Sequence, residues 1–339
     1  MKLYGGIDLH SNNSVLVLID EQDKVVYEKQ LDNKLELILN ELKTYQKQVV
    51  GLAVESTYNW YWLVDGLMEA GYSLHLVNTA AVKQYDGLKY TDDRHDAKHL
   101  AHLLRLGILP QGYIYPKAQR AVRDLLRKRM QLVQQQTANV LSIGSLITRL
   151  TGRGPTCNHI KRMTDEGLSR MGIEGEWKLS LNANLSVLHC LSEQIDTVEK
   201  IVLARVKPEP GFTSLLSVAG VGKILGMTIW LETGDIGRFK QVGNYASYCR
   251  CVGSQRLSNG KKKGQGNHKN GNKYLSWAYV EAANFGRRYY VPIDRFYQRK
   301  RVRTNAIVAT KACAHKLARA SYYVLRDQVP FDIERAFST

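Results

Sequence analysis

The sequence predicts a chain in three parts: a mixed α/β domain over 1–113, a helical middle over 114–208, and a mostly α-helical C-terminal domain over 209–339. Three observations carry that prediction. Residues 3 to 78 alternate short apolar runs with amphipathic ones, strand signals vanish from about 116 to 206, and the positive charge gathers after residue 236.

The first part opens with a strand signal in LYGGIDLH. A second, SVLVLID, follows the turn-like Ser11-Asn12-Asn13-Ser14, and a third is KVVYEKQL. A helix (KLELILNELKTYQ), a buried strand (VVGLAVE), a helix (NWYWLVDGLMEAG) and a strand (YSLHLVN) come next, and KYTDDRHDAKHLAHLLR opens a further helix. Three strands on tight connections, followed by βαβ crossovers, imply a mixed sheet with helices on its faces.

The middle reads as two long helices. AVRDLLRKRMQLVQQQTANVLSIGSLITRL is the first, and a Gly-rich polar loop (TGRGPTCNHIKR) separates it from LNANLSVLHCLSEQIDTVEKIVLARV. In the second, Leu181, Leu185, Leu188, Ser192, Ile195, Val198 and Val202 recur every three or four residues. Such a stripe fits a hairpin within the chain or a coiled coil that builds a dimer. Lys207-Pro208-Glu209-Pro210-Gly211 then breaks the helix. Beyond it, Gly220-Val221-Gly222 between two apolar helical runs reads as a helix-hairpin-helix, whose free backbone N–H groups suit a phosphate oxygen.

Composition limits the functions available. With 339 residues, 44% hydrophobic and 23% charged, the chain can bury a full core. No uncharged apolar stretch reaches the roughly 18–20 residues of a membrane span, and MKLYGGIDLHS lacks signal-peptide architecture, so a soluble cytoplasmic protein is expected. Cys157, Cys190, Cys249, Cys251 and Cys313 form no CxxC pair and read as ordinary thiols. Between Ile236 and Arg326 stand 20 Lys or Arg and only two acids, Glu281 and Asp294, so this segment carries +18 of a net +17 and the remainder sums to −1. A segment so one-sided repels itself unless a polyanion neutralises it, and nucleic acid is the expected one. The candidate contacts are Gly220, Gly222, Lys223, Lys261, Lys262, Lys263, Lys269, Arg287, Arg288, Arg299, Lys300, Arg301 and Arg303, with the aromatics of RRYYVPIDRFYQRKRVR placed to stack on bases.

Acids supply the candidate chemistry. Asp8 interrupts an apolar strand, Glu55 ends another, and Asp93 and Asp96 share one side of a helical turn. Gathered together, four carboxylates repel unless a hard cation neutralises them, and oxygen ligands select Mg²⁺ or Mn²⁺. Asp92, Asp93 and Asp96 each have a second reading as a helix cap or dipole partner. His95, His99 and His102 lie at helical spacing, as metal ligands or as a solvated polar face.

GIDLH, VES and TDDRHDA resemble the DEDD signature of insertion-sequence transposases of the IS-one-ten type, relatives of the Piv and MooV DNA invertases. GVGKILG followed by RLSNGKKKGQGNHKNGNKYL resembles that family's later motif, and the order matches along nearly the whole chain. The resemblance implies an RNase H-like, RuvC-like first domain with its acidic tetrad at Asp8, Glu55, Asp93 and Asp96. It puts a nucleophilic serine at Ser258, although Asn259 intervenes before Gly260 where the family has Ser-Gly, which keeps Ser254 as a second candidate. It further implies a 5′-phosphoserine intermediate in DNA strand exchange and a homo-oligomer, dimer or tetramer, with composite sites. The implied partners are donor and target double-stranded DNA and a structured non-coding bridge RNA that pairs with both. The competing readings are a metal-dependent junction nuclease of the RuvC kind, in which water attacks, and a non-enzymatic nucleic-acid scaffold.

Overall fold

The computed structural model describes residues 1–82, 92–253, 256–264 and 270–338, so Ser254 and Lys269 lie outside the described residues, and Lys262 is described by its backbone alone. The chain divides into two compact units, Met1–Lys117 and Ala118–Thr339.

The first unit is a five-stranded sheet in the order β3-β2-β1-β4-β5, formed by β1 (Leu3–Leu9), β2 (Asn13–Ile19), β3 (Val25–Asp32), β4 (Val49–Glu55) and β5 (Leu74–Val77). The first three strands are antiparallel, as their short turns require, whereas β4 and β5 join parallel through helical crossovers α1 (Leu35–Lys43) and α2 (Tyr61–Glu69). Alternation along β1 divides its side chains between the two faces. Leu3, Ile7 and Leu9 join Leu52, Val54, Ile38, Leu63 and Leu67 under α1 and α2. The opposite face, with Val15, Val17, Ile19 and Ala53, is covered by α3 (Asp93–Arg105). Its contact residues Ala97 and Ala101 are small, and Gly6 lies directly beneath, where a Cβ would collide with the Ala97 carbonyl. This close approach brings the start of α3 down to the C-terminal end of β1.

In the second unit, α4 (Lys117–Thr151) and α7 (Gly175–Val206) form an antiparallel pair within the chain. Val140, Ile143 and Ile147 pack with Leu181, Leu185 and Leu188, and Leu126 packs with Val198 and Val202. The stripe expected as a possible dimer seam is therefore spent inside the chain. A buried Gln136 donates to Ser192 Oγ at 2.9 Å, fixing the register. The second helix starts at Gly175, six residues before its periodic stripe, and the connection expected as a loop folds into α5 (Cys157–Lys161) and α6 (Asp165–Arg170), which place Ile160 and Leu168 on the end of the pair.

The rest is helical, as expected, with one exception. α8 (Pro210–Leu215), α9 (Lys223–Thr233), α10 (Val242–Tyr248), α11 (Lys273–Tyr289), α12 (Val291–Arg303), α13 (Ala306–Asp327) and α14 (Ile333–Phe337) surround a core of Tyr245, Tyr279, Leu317 and Tyr322. The exception is a hairpin of β6 (Arg256–Ser258) and β7 (Lys261–Gly264). Asn259 and Gly260 form its two-residue turn with φ of +53° and +73°, the left-handed values that a type I′ turn demands. All five cysteines are free thiols.

Candidate active site

Asp8 and Glu55 end neighbouring parallel strands, whose ladder pairs Ile7 with Val54 one position earlier. The pleat turns both carboxylates to the α3 face, where Asp96 meets them from the first turn of that helix. Together with His99, Val77 and Thr79 they line a pocket of about 340 Å³. Asp8 is buried, and Glu55 shares a hydrogen bond with it. One proton must lie between two such carboxyls. Accordingly burial, then that hydrogen bond and the charges of Asp8 and Asp96, push Glu55 up to about 8. Asp96 is raised in the same direction, first by burial and then by Asp8 and Asp93. Acids thus gather in one pocket of a chain whose net charge is +17.

Asp93 reaches the group from its rim. His10 Nε2 lies 3.1 Å from Asp8 Oδ2 and 3.2 Å from Asp93 Oδ2, near enough for ion pairing but outside hydrogen-bond alignment. The donor atoms of Asp8, His10 and Asp93 all fall within 4.8 Å of one another, a spacing that fits one shared cation. His10 was not anticipated from the sequence. It is two residues beyond Asp8 at the end of β1, and the period-2 alternation of a strand was the available signal.

The other residues of the stretch 92–105 separate by role. Asp92 is the N-cap of α3, and its carboxylate accepts from His95 N at 2.8 Å. His95 Nδ1 sits 3.1 Å from Asp92, and His102 Nδ1 is 2.8 Å from Asp23, which Arg105 also grips, while His99 lines the acidic pocket. The three histidines thus point to three different places and form no shared metal site.

Ser258 is the last residue of β6, exposed and paired across the hairpin with Lys261. The Asn259 insertion that departs from the family's Ser-Gly is the first turn residue. At the base of this region, Gly271 has φ of +91° and its Cα faces the Tyr248 carbonyl, where a side chain would not fit. Asn272 caps α11 by accepting from Tyr274 N and Leu275 N, and donates to the buried Glu232 at 2.7 Å. Arg127 of α4 holds the same Glu232 through two bonds of 2.6 and 2.7 Å. The Gly-Asn motif is thereby tied through Glu232 to the helical pair.

Two family models match in the order of these two sites. The DEDD transposase model of the IS110 type covers residues 5–151, with all four acids, and the model described as "Transposase IS116/IS110/IS902 family" covers 213–298, with the hairpin and α11. The chain belongs to this transposase family. Among curated proteins it is similar to a probable family 20 transposase of Pseudomonas aeruginosa, 24% identical over 82% of each chain. It is also similar to the transposase for insertion sequence element IS1111A of Coxiella burnetii, 25% identical over 82% of this chain and 76% of that one.

The basic residues of this transposase divide into exposed and structural ones. Gly222 and Lys223 are exposed at the start of α9, whereas Gly220, at φ +80°, is required because its Cα lies against the Ala282 carbonyl of α11. Lys261 and Lys263 are exposed on β7, and Arg288, Arg299, Lys300, Arg301 and Arg303 on α11 and α12. Arg287 instead lies over the ring of Tyr297, 4.7 Å from its centroid. The expectation that the aromatics here stack on bases is corrected for two of them: Tyr297 is buried and Phe296 packs on Phe337. Tyr289 and Tyr290 remain exposed. Among the described residues no helix is long and apolar enough to cross a membrane.

Proposed function

We propose that this chain is the recombinase of an insertion sequence, cleaving and rejoining DNA in an RNase H-like acidic site with Ser258 as nucleophile. The observation that carries the reading is the convergence of Asp8, Glu55 and Asp96 on one pocket, with Asp93 and His10 at its rim. Carboxylates raised above their ordinary range by burial and then by one another, in a pocket, mark a site for chemistry. The donor set fits Mg²⁺ or Mn²⁺, held by Asp8, Glu55, Asp93 and Asp96 with His10 adjacent. Bound there, a divalent cation supplies charge neutralisation for a scissile phosphate and its leaving oxygen.

The chain's own residues do the rest. Ser258 Oγ attacks the phosphorus, its proton passing to solvent or a neighbouring base; the bond to the 3′ oxygen breaks, and that oxygen takes up a proton. The product is a 5′-phosphoserine, which a 3′-hydroxyl of the partner strand attacks to restore the serine and seal the DNA. Exposed Lys261 and Lys263 beside Ser258 offer ammonium groups to the phosphate. The exposed cations of α12 bind the polyanions: donor and target DNA, and a bridge RNA that carries sequence choice by base pairing. Because carboxylates and serine belong to separate units, we read the working assembly as a homodimer or tetramer with composite sites, with the outward faces of residues 114–208, rather than the stripe buried within the chain, as its assembly element.

The test is a suicide DNA substrate that traps a covalent protein-DNA adduct. The adduct forms with the wild type and with Ser254→Ala and disappears with Ser258→Ala. Strand cleavage without any adduct would instead establish attack by water, as in a junction nuclease. Retention of cleavage in Asp8→Ala and Asp96→Ala would reduce the first unit to a scaffold. Sequencing the nucleic acid that co-purifies tests guidance: an element-encoded RNA supports it, random cellular RNA does not.

A further inference from the structure

A second basic site adjoins the basic stretch of α12 but is lined by other residues. Between α13 and the segment 329–336 runs a groove of about 570 Å³. Val324, Pro330 and Phe331 make its apolar floor, and Lys316, Arg319 and Arg335 line it as well. Asp332 is the one acid among the described residues of the lining, and it is occupied in capping α14, accepting from Arg335 N at 3.0 Å. At the rim stands Tyr323, 39% exposed, with the Arg326 guanidinium 4.9 Å from its ring centroid.

Among the described residues Lys316, Arg319 and Arg335 make no ion pair, whereas Arg326 is held by Asp327 at 2.6 Å. Burial and then the charges of Arg299, Arg319 and Lys300 hold Lys316 below the ordinary lysine range, while its ammonium donates to the Ala336 carbonyl at 2.8 Å. Burial, Arg319 and Lys316 likewise hold His315 low. Like charges collected around an apolar slot are compensated by an anion that also has a flat apolar part. The volume falls within the roughly 300–1,000 Å³ of small-molecule sites, room for one nucleotide and too little for a duplex. A phosphopeptide would match the cations but leave the apolar floor and the exposed ring unused.

We propose that this groove takes one unpaired nucleotide, its base against Tyr323 and the Pro330–Phe331 floor and its phosphate on Arg319 and Arg335. The inference rests on the nucleic-acid reading of the C-terminal unit and adds to it a slot selective for single strands. The shared chemistry, an unstacked base with its phosphate, is offered both by a loop of RNA and by an opened DNA strand.

The experiment is fluorescence anisotropy with the full chain and labelled 12-mers of single-stranded RNA, single-stranded DNA and the corresponding DNA duplex. The double variant Arg319→Ala/Tyr323→Ala is expected to lose about ten-fold or more in affinity for one or both single strands and to change less than two-fold on duplex. Tyr323→Phe, which keeps the ring, is expected to bind like the wild type, and unchanged thermal unfolding of both variants excludes misfolding as the cause. Preference for RNA or for DNA identifies which strand occupies the slot. Equal losses on single strand and duplex, or no loss, overturn the slot while leaving the broader reading intact. A wild type that binds none of the three probes overturns both.

Discussion

Two adjacent aspartates show how a side chain's role follows from its position on a turn. Asp92 has extended backbone and caps α3, whereas Asp93, one residue later, points to His10 and Asp8. Asp92→Ala is expected to lower stability modestly, through the lost cap, and to keep most strand cleavage. Asp93→Ala is expected to do the reverse, since removing one of several repelling acids relieves the fold while emptying the site; denaturant unfolding and a cleavage assay read the two effects separately. Glu55 adds a pH signature. Its folded value of about 8 against an ordinary 4.5 means that between those values the folded chain holds a proton the unfolded chain has released. Stability contributed by this group is therefore complete below about pH 4.5 and is lost as pH rises toward 8. In EDTA, the unfolding temperature of the wild type should fall more steeply from pH 5 to 8 than that of Glu55→Gln. Added Mg²⁺ should shrink the difference, because a cation favours the ionised form. Identical slopes with and without Glu55 would contradict the coupling. Asp8 and Glu55 stood out because an acid in or ending an apolar strand has no core explanation, whereas Asp93 and Asp96, at a helix start, read equally as cap and dipole partners until the family motif singled them out; His10 gave no signal, since a histidine at a strand end has many explanations.

At the scale of elements, the docking of α3 decides whether the acids meet. Ala97 sits on Gly6 so closely that a methyl group there must push the helix backbone away, whereas a methyl at Gly5 meets only the ends of the Leu52 and Leu18 side chains. Gly6→Ala is thus expected to cost about 1–3 kcal/mol in urea unfolding and to abolish cleavage by parting Asp96 from Asp8. Gly5→Ala, against yielding neighbours, should cost less and keep activity; equal behaviour of the two would argue against this docking. The strands and helices of this unit were readable in order because period-2 and period-3.6 patterns differ plainly over the seven to thirteen residues of every element but the four-residue β5. The β6–β7 hairpin was not, since KKKG has no apolar alternation to announce a strand, although Asn259-Gly260 carried the turn signal. The helical pair was readable as periodicity but not as partner choice: a buried stripe is satisfied equally by a helix of the same chain or another, and here α4 supplies it.

Across the whole molecule, charge is the property most plainly written in the sequence, because a count needs no knowledge of contacts. The fold decides which of those charges face water. On α12 the exposed Arg299, Lys300, Arg301 and Arg303 occupy the last turns with Asp294 as the helix's only acid, so their field is uncompensated on that element. In Met1–Lys117, by contrast, exposed Lys24, Lys43 and Lys47 stand in a region whose acids outweigh or match its bases. If α12 lies along a phosphate backbone, each ion pair formed releases condensed counterions, and the logarithm of the binding constant falls with the logarithm of salt by about 0.9 per neutralised phosphate on duplex DNA. Replacing Arg299, Lys300, Arg301 and Arg303 by Gln should flatten that slope by up to about 3.6, and by less if some of them reach only solvent. The triple variant Lys24→Gln, Lys43→Gln, Lys47→Gln should leave the slope within about half a unit of wild type, because those charges stand among more acids than bases and form no cationic track of their own. Duplex binding titrated between 50 and 300 mM salt reads both. Equal flattening by the two variants would show that net charge alone, rather than a phosphate track on α12, holds the nucleic acid.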